Sequence, residues 1–333
     1  MPLYRYTIIP RGAFGTPMRS DTLHGQLLCA AAELDGGEAV AGLIAAFDSD
    51  SPPFVCSSAF PAGMLPMPCL PPIARSDFLA HFGSRGGLFL GDKALALKAY
   101  KKFRKIEQVP IGIWTELRAS LSQTKLFRRW YQEWGQDANA FRPKPAPFEN
   151  TWRTGHVEAH NSIDRATGSV LQEGGLFLSD STFYGSGIRL DLYVQTDAPD
   201  GFERLLRHVA ATGFGRDAST GKGWFDFTRD EAFTPGELDG DGSHRMSLSV
   251  LSAMNLSEAS GWYRVFAKSG RAGGALGQAN PFKKTFLAME EGSVFKSLPA
   301  SGYVLRGLHP DSRVVQVTWP LTIAFTPAKE DTI

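Results

Sequence analysis

The chain has 333 residues, 43% of them apolar and 21% charged, with a formal net charge of +1. That is enough chain for two packed domains of ordinary globular composition, and it excludes a disordered or collagenous protein. No apolar run is long enough to span a bilayer, and the start Met1-Pro2-Leu3-Tyr4-Arg5-Tyr6 lacks the pattern of a signal peptide. Cys29, Cys56 and Cys69 show no metal-ligand spacing and read as reduced thiols of a cytoplasmic protein.

The near-neutral total hides segregation. Between Lys93 and Trp130 there are ten Lys/Arg against Glu107 and Glu116, whereas Asp226 to Asp241 holds six acids against Arg229. The first segment is able to follow a polyanion, and equally suits a solvated helix face.

In chain order, Leu3 to Pro10 predicts a strand and Gly12 to Pro17 a loop. Ser20 suits an N-cap for a helix with Leu23, Leu27, Ala31 and Leu34 on one stripe, stopped by Gly36-Gly37. Pro53 to Ser58 predicts a second strand. A long interval from about 60 to 186 follows. Its proline-rich start precedes a basic helix with Leu95, Ala99, Phe103 and Ile106 on one face. A second helix is expected from Trp114 to Trp134, carrying Leu117, Leu121, Phe127 and Trp130. A loop with Pro143, Pro145 and Pro147 comes next, then a hairpin-like projection carrying Arg165.

Ile188, Leu190, Leu192 and Val194 alternate with Arg189, Asp191, Tyr193 and Gln195, the pattern of a half-buried strand. Asp200 is placed to cap a helix with Phe202, Leu205, Leu206, Val209 and Ala210 on one face. A glycine-rich loop follows, and Trp224 to Thr228 predicts a strand. The order β-α-β, interval, β-α-β is that of a ferredoxin-like split βαβ unit, used by RNA-recognition folds with the sheet face as a platform. Pro235 to Ser243 reads as a linker. Beyond it, Met246 to Val250 and Leu321 to Phe325 predict strands around a second glycine-rich basic stretch, Lys268 to Gly274. The predicted division is therefore 1–234, interrupted at about 60–186, and a β-rich 245–333.

The richest chemistry lies in Gly213-Phe214-Gly215-Arg216 through Gly221-Lys222-Gly223-Trp224. Glycines permit positive φ and close approach of backbone N–H groups to an anion. Arg216 and Lys222 add charge, Ser219 and Thr220 hydroxyls, and Phe214, Trp224 and Phe225 rings for base stacking. A phosphate-rich ligand fits, as does a plain surface loop. The spacing excludes Walker A, and a loop that closes a helix and opens a strand is not a dinucleotide fingerprint. No hydrolase triad, metal centre or cofactor motif is present.

Four segments in this order resemble the RAMP superfamily of CRISPR-associated proteins, and within it the type III-A (Csm complex) subunits that cap the 5′ end of the guide RNA. They are Phe14-Gly15-Thr16-Pro17 through Ser20-Asp21-Thr22-Leu23-His24-Gly25, the Asn161–Gly168 element, the Gly213–Gly223 loop, and Lys268 to Phe295. The resemblance implies two ferredoxin-like (RRM-like) RAMP domains in an α+β chain, the first with a helical insertion. It implies a non-catalytic subunit that grips the repeat-derived 5′ tag of the crRNA. Its partners would be the large polymerase/cyclase-like subunit and a backbone RAMP subunit, with no membrane, metal or cofactor. The candidate RNA contacts are then Phe14, Gly15, Arg19 and Ser20; His160, Asn161, Ser162, Ile163 and Arg165; Gly213, Phe214, Gly215, Arg216, Ser219, Thr220, Gly221, Lys222 and Gly223; and Lys268, Ser269, Arg271, Lys283 and Lys284. His24 departs from the apolar aromatic expected there. The Lys93–Trp130 insertion has no counterpart in the resemblance.

Two alternatives accompany this reading. A metal-independent endoribonuclease of the same superfamily would need an acid, a base and a cation, for which His24, His160, Tyr184 and Lys222 are candidates. A general single-strand RNA-binding protein is the other, though no aromatic RNP-type signature is present.

Overall fold

A computed structural model describes residues 1–49, 51–144, 151–171, 175–252, 259–277, 280–298 and 302–328. Pro145 and Pro147 lie outside them. The chain opens with β1 (Leu3–Pro10), α1 (Ser20–Asp48), β2 (Phe54–Cys56) and the short β3 (Phe60–Pro61). Next come β4 (Met64–Pro66), α2 (Arg75–Phe78) with a π turn to Gly83, α3 (Lys93–Phe103), β5 (Gln108–Pro110), α4 (Ile111–Leu117) and α5 (Gln123–Trp134). A two-stranded hairpin, β6 (Arg153–Asn161) and β7 (Leu176–Tyr184), leads to β8 (Leu190–Thr196), α6 (Pro199–Thr212) and β9 (Phe225–Arg229). The remaining strands are β10 (His244–Ser247), β11 (Leu251–Ser252), β12 (Ser260–Trp262), β13 (Val265–Lys268), β14 (Phe286–Met289), β15 (Val294–Ser297), β16 (Val304–Leu305), β17 (Gln316–Val317) and β18 (Thr322–Phe325). The protein is α+β.

The first sheet runs β2-β8-β1-β9, every pairing antiparallel. Helices α1 and α6 cover one face. Tyr6, Ile8, Leu192 and Val194 meet Leu23, Leu27, Phe202 and Leu206 there in one buried cluster. A second sheet runs β12-β15-β10-β18, also antiparallel. With the short β3, which also pairs with β8, left out of the count, both sheets have the strand order second-third-first-fourth.

The interval between β3 and β8 packs on the second sheet. Trp114 is fully buried, its ring 5.7 Å from Phe325, and its Nε1 donates to the Leu238 carbonyl at 2.8 Å. Leu121 N–H donates to Thr326 O, and Ala328 N–H to Leu121 O, each at 2.8 Å. This backbone pairing explains why the predicted helix from Trp114 to Trp134 divides. It stops at a 3₁₀ turn, Leu121 is extended, and Ser122 starts α5 by accepting from Lys125 N–H. Leu238, inside the predicted linker, is likewise buried.

That packing alters several sequence expectations. Asp191 and Tyr193, on the predicted polar side of β8, are 4% and 0% exposed, because Tyr193 joins the cluster made by the interval and the second sheet. Arg5 on the same sheet face is bonded to Asp230 and lies over the Phe233 ring. The face that an RNA-recognition fold leaves open is thus largely occupied. In α3 the buried face is Ala96, Ala99 and Phe103, while Leu95 is exposed. Gly36 interrupts α1 with φ 84°, and a further helical stretch resumes to Asp48.

Candidate nucleic-acid interface

The loop before α1 and the Gly213–Gly223 loop form one unit. Arg11 N–H donates to Trp224 O at 2.9 Å, Gly223 N–H to Ala13 O at 2.7 Å, and Arg216 N–H to Thr16 Oγ1 at 3.1 Å. Phe14 exchanges two 2.9 Å backbone bonds with Thr182 of β7, tying the hairpin to the same place. Two glycines make this possible. A Cβ on Gly15 would lie 2.5 Å from Arg216 O, and one on Gly223, at φ 77°, 2.0 Å from Phe214 O. The expected ring platform is different: Phe14, Phe214 and Phe225 are buried at 1%, 0% and 3% exposure, whereas Trp224 is 51% exposed. Phe14 packs edge-on to Tyr184 at 5.5 Å and beside Phe214 at 6.5 Å, so these rings build the core and present no face to a base.

The loop cations are engaged by acids. Lys222 Nζ stands 3.1 Å from Glu158 Oε2 and 3.4 Å from Asp217 Oδ2. Arg216 Nη2 donates to Asp180 Oδ1 at 2.9 Å and to the Asp180 carbonyl. Hydrogen bonding by Lys222 and Arg216 holds the Glu158 and Asp180 carboxyls below their usual range. Burial opposes ionisation of Asp217, but bonds from Ser179 and Lys222 outweigh it and lower its pKa. Ser219 and Thr220 sit exposed on a 3₁₀ turn, and Thr220 Oγ1 donates to Asp217 O. The acids escaped the sequence reading because Glu158 and Asp180 lie 64 and 36 residues from their partners.

The predicted projection is a hairpin pairing Arg153 with Tyr184 through to Asn161 with Leu176. His160 stacks on Phe177 at 5.4 Å with Nε2 3.5 Å from Glu158 Oε2, and His156 Nδ1 lies 3.6 Å from the other Glu158 oxygen. Ser162 bonds Gly175 and Leu171 through its backbone. At the tip, Ile163 is 64% exposed, Arg165 is exposed, and Asp164 Oδ1 accepts from Ala166 N–H.

Ser20 and His24 are corrected by burial. Arg19 rather than Ser20 occupies the N-cap position of α1, and Ser20 is 1% exposed, its Oγ accepting from Val250 N–H at 2.8 Å. It stitches the halves of the chain together and cannot touch RNA. His24 is fully enclosed, stacked on Phe54, with Nδ1 2.7 Å from Ser20 O; burial drops its pKa to about 4. It cannot reach a ribose hydroxyl. Arg19 makes a two-pronged bond to Glu291 at 2.5 and 3.0 Å and lies over Phe266.

The second basic stretch is anchored to the same helix start, for Lys268 Nζ is 2.8 Å from the buried Asp21 carboxylate. Ser269 Oγ bonds Thr285, and Lys283 Nζ donates to Val315 O and Gln316 Oε1, its pKa lowered by burial. Arg271, over the Phe282 ring, and Lys284 are exposed. The beginning of α1 therefore brings the two glycine-rich stretches and the hairpin together.

Beside it opens a cleft of about 550 Å³ that the sequence reading missed. Trp152, Tyr184 and three arginine–glutamate pairs line it: Arg19–Glu291, Arg153–Glu107 at 3.0 Å and Arg264–Glu290 at 2.8 Å. The Arg153 guanidinium lies 4.6 Å over the Trp152 ring. The adjacent Trp152-Arg153 pair was the available signal.

No family model matches the chain, and no curated protein matches its sequence. Solved structures do. A chain of the Csm3–Csm4 subcomplex of the type III-A CRISPR-Cas interference complex matches at TM-score 0.55 and 14% identity, over 97% of this chain and 100% of that one. Chains of the Csm1–Csm4 cassette match at 0.54 and 17% with cA4 bound, and at 0.52 and 18% with pppApA, each over 97% of this chain and 99% of the other. The chain thus shares the fold of these chains from type III-A CRISPR-Cas assemblies. The component common to both assemblies is Csm4, and it is the Csm4 fold that this chain shares from end to end.

Proposed function

We propose that the chain is a non-catalytic RNA-binding subunit of a type III CRISPR effector complex. In this reading it grips the repeat-derived 5′ tag of the crRNA and docks a large polymerase-like subunit and a backbone RAMP subunit, serving antiviral defence in the cytoplasm. The observation that carries it is the end-to-end likeness to a fold common to assemblies with Csm1 and with Csm3. Two ferredoxin-like domains, 1–234 and 245–333, fit the repeated strand order of the two sheets. The convergence of both glycine-rich stretches and the hairpin on the start of α1 supports a single RNA-gripping region. Arg165, Trp224, Arg271 and Lys284 are among the exposed candidates there, and Arg216 and Lys222 exchange carboxylates for phosphates. Purifying the chain from its host and sequencing the co-purifying RNA tests the reading. A uniform repeat-derived 5′ end is expected, and heterogeneous RNA or none overturns it.

The nuclease alternative keeps one observation: His156 and His160 flank Glu158 on one face of β6, within reach of Lys222. Incubation with repeat RNA decides. No cleavage is expected, and site-specific cleavage lost in His160→Ala would favour the enzyme.

A further inference from the structure

The cleft beside α1 has neighbours. Its wall of Glu107, Gln108, Trp152 and Arg153 also lines a second cleft of about 270 Å³, which Lys105 lines as well. Lys105 in turn lines a third, of about 370 Å³, on the outer face of α3 with Lys98 and Lys101. Neighbouring clefts thus share lining residues. This row of neighbouring clefts leads from Arg19 past Trp152 and Arg153 to the basic helix.

Its charge changes along the way. Near α1 every arginine is matched by a glutamate. Lys98 and Lys101 on α3, and Lys105 just past its end, are exposed and have no ion-pair partner among the described residues. Lys98 and Lys101 lie one turn apart on α3, and Lys105, two residues past its last residue, adds a third cation beside them. Holding three unpaired ammonium groups together raises the local potential and adds nothing to the packing of α3, whose buried side is Ala96, Ala99 and Phe103. An aromatic–guanidinium pair followed by unpaired cations is the arrangement that tracks single-stranded RNA, with a base stacked at one point and phosphates neutralised beyond it.

We propose that the helical insertion extends the RNA path. Single-stranded RNA leaving the region at the start of α1 stacks on Trp152, passes Arg153 and lays its backbone on Lys105, Lys101 and Lys98. This rests on the RNA-binding reading above and assigns the insertion a role in it. The contact is to phosphates and so is indifferent to sequence.

The test compares three RNAs on the full chain by fluorescence anisotropy at several salt concentrations. One is a tag of about 8 nucleotides, and two of about 16 extend it at either end. One extended RNA should bind at least about tenfold tighter than the short one, with a salt slope steeper by about 2, or about 0.7 per phosphate for three lysines. K98E/K101E/K105E should remove that gain and leave the short RNA unaffected. K98Q/K101Q/K105Q should do the same more mildly, and both should melt as the wild type does. If neither extension tightens binding, or the charge-reversed variant keeps the gain, the path is wrong while the tag site stands. If the wild type binds none of the RNAs, the RNA-binding reading falls and takes the path with it.

Discussion

The Lys222 ammonium of the glycine-rich loop lies 3.1 Å from the Glu158 carboxylate of the projecting hairpin. Loop and hairpin are joined by opposite charges that are the same groups an RNA phosphate would engage or repel. A phosphate arriving at Lys222 must displace Glu158. Removing Glu158 should therefore tighten RNA binding, and removing Lys222 should weaken it. Glu158→Gln is expected to lower the dissociation constant for single-stranded RNA. Lys222→Gln should raise it and reduce the salt slope by about 0.7. Equal affinities in both variants would show that phosphate does not reach Lys222.

Charge reversal at this site needs separate reading. Arg216→Glu with Lys222→Glu would set two new carboxylates among Glu158, Asp180 and Asp217. It should destabilise the loop as well as abolish binding, whereas the double Gln variant should retain the wild-type melting temperature more closely. Thermal melts of the two variants side by side check this.

The glycine contact between the loops carries a stability prediction. Gly15→Ala forces a Cβ to within 2.5 Å of the Arg216 carbonyl, whereas Gly12→Ala meets nothing nearer than Gly221 O at 3.8 Å. Gly15→Ala should cost about 1–3 kcal/mol and Gly12→Ala little. Denaturant midpoints measure the difference, and equal midpoints would mean that the loops part without cost.

Arg19 and Glu291 form a pair that is mostly out of water, with side chains 26% and 12% exposed. Burial alone would raise the Glu291 pKa, and the bonds from Arg19 and Ser58 more than reverse that. Arg19→Ala strands the carboxylate and should cost about 3 kcal/mol. Glu291→Gln, which keeps an acceptor for Ser58, should cost less. A loss of RNA binding in Arg19→Ala accompanied by no fall in melting temperature would instead mark Arg19 as a direct contact.

His24 gives the protein an acid sensitivity with a definite window. Its folded pKa of about 4 lies below the ordinary value near 6.5, because burial disfavours the charged ring. The unfolded chain binds a proton there first, so stability is full above pH 7 and falls as pH drops from about 6.5 towards 4, by about 3 kcal/mol in all. The depressed carboxylates, Glu291 and Asp217 among them, lose their contribution only at lower pH. Melting temperatures between pH 7.5 and 5 should decline in the wild type and stay flatter in His24→Phe; parallel curves would exclude His24 as the cause.

The strands and helices of the first sheet were legible in the sequence because local patterns encode them. Leu3–Pro10 alternates and pairs as β1, the stripe of Leu23 and Leu27 makes α1, and Gly213 ends α6 at φ 93°. The order of these elements, with two glycine-rich basic stretches, was enough for a RAMP-like α+β reading. What the sequence could not carry is partnership across long separations. Tyr193 looks like a surface residue of an alternating strand until the insertion covers it, and Phe14 and Phe214 look like stacking rings until the loops close on each other. Lys222 looks free until Glu158, 64 residues away, arrives beside it. Burial and ion pairing are sums over neighbours in space, and those neighbours were set by tertiary packing alone.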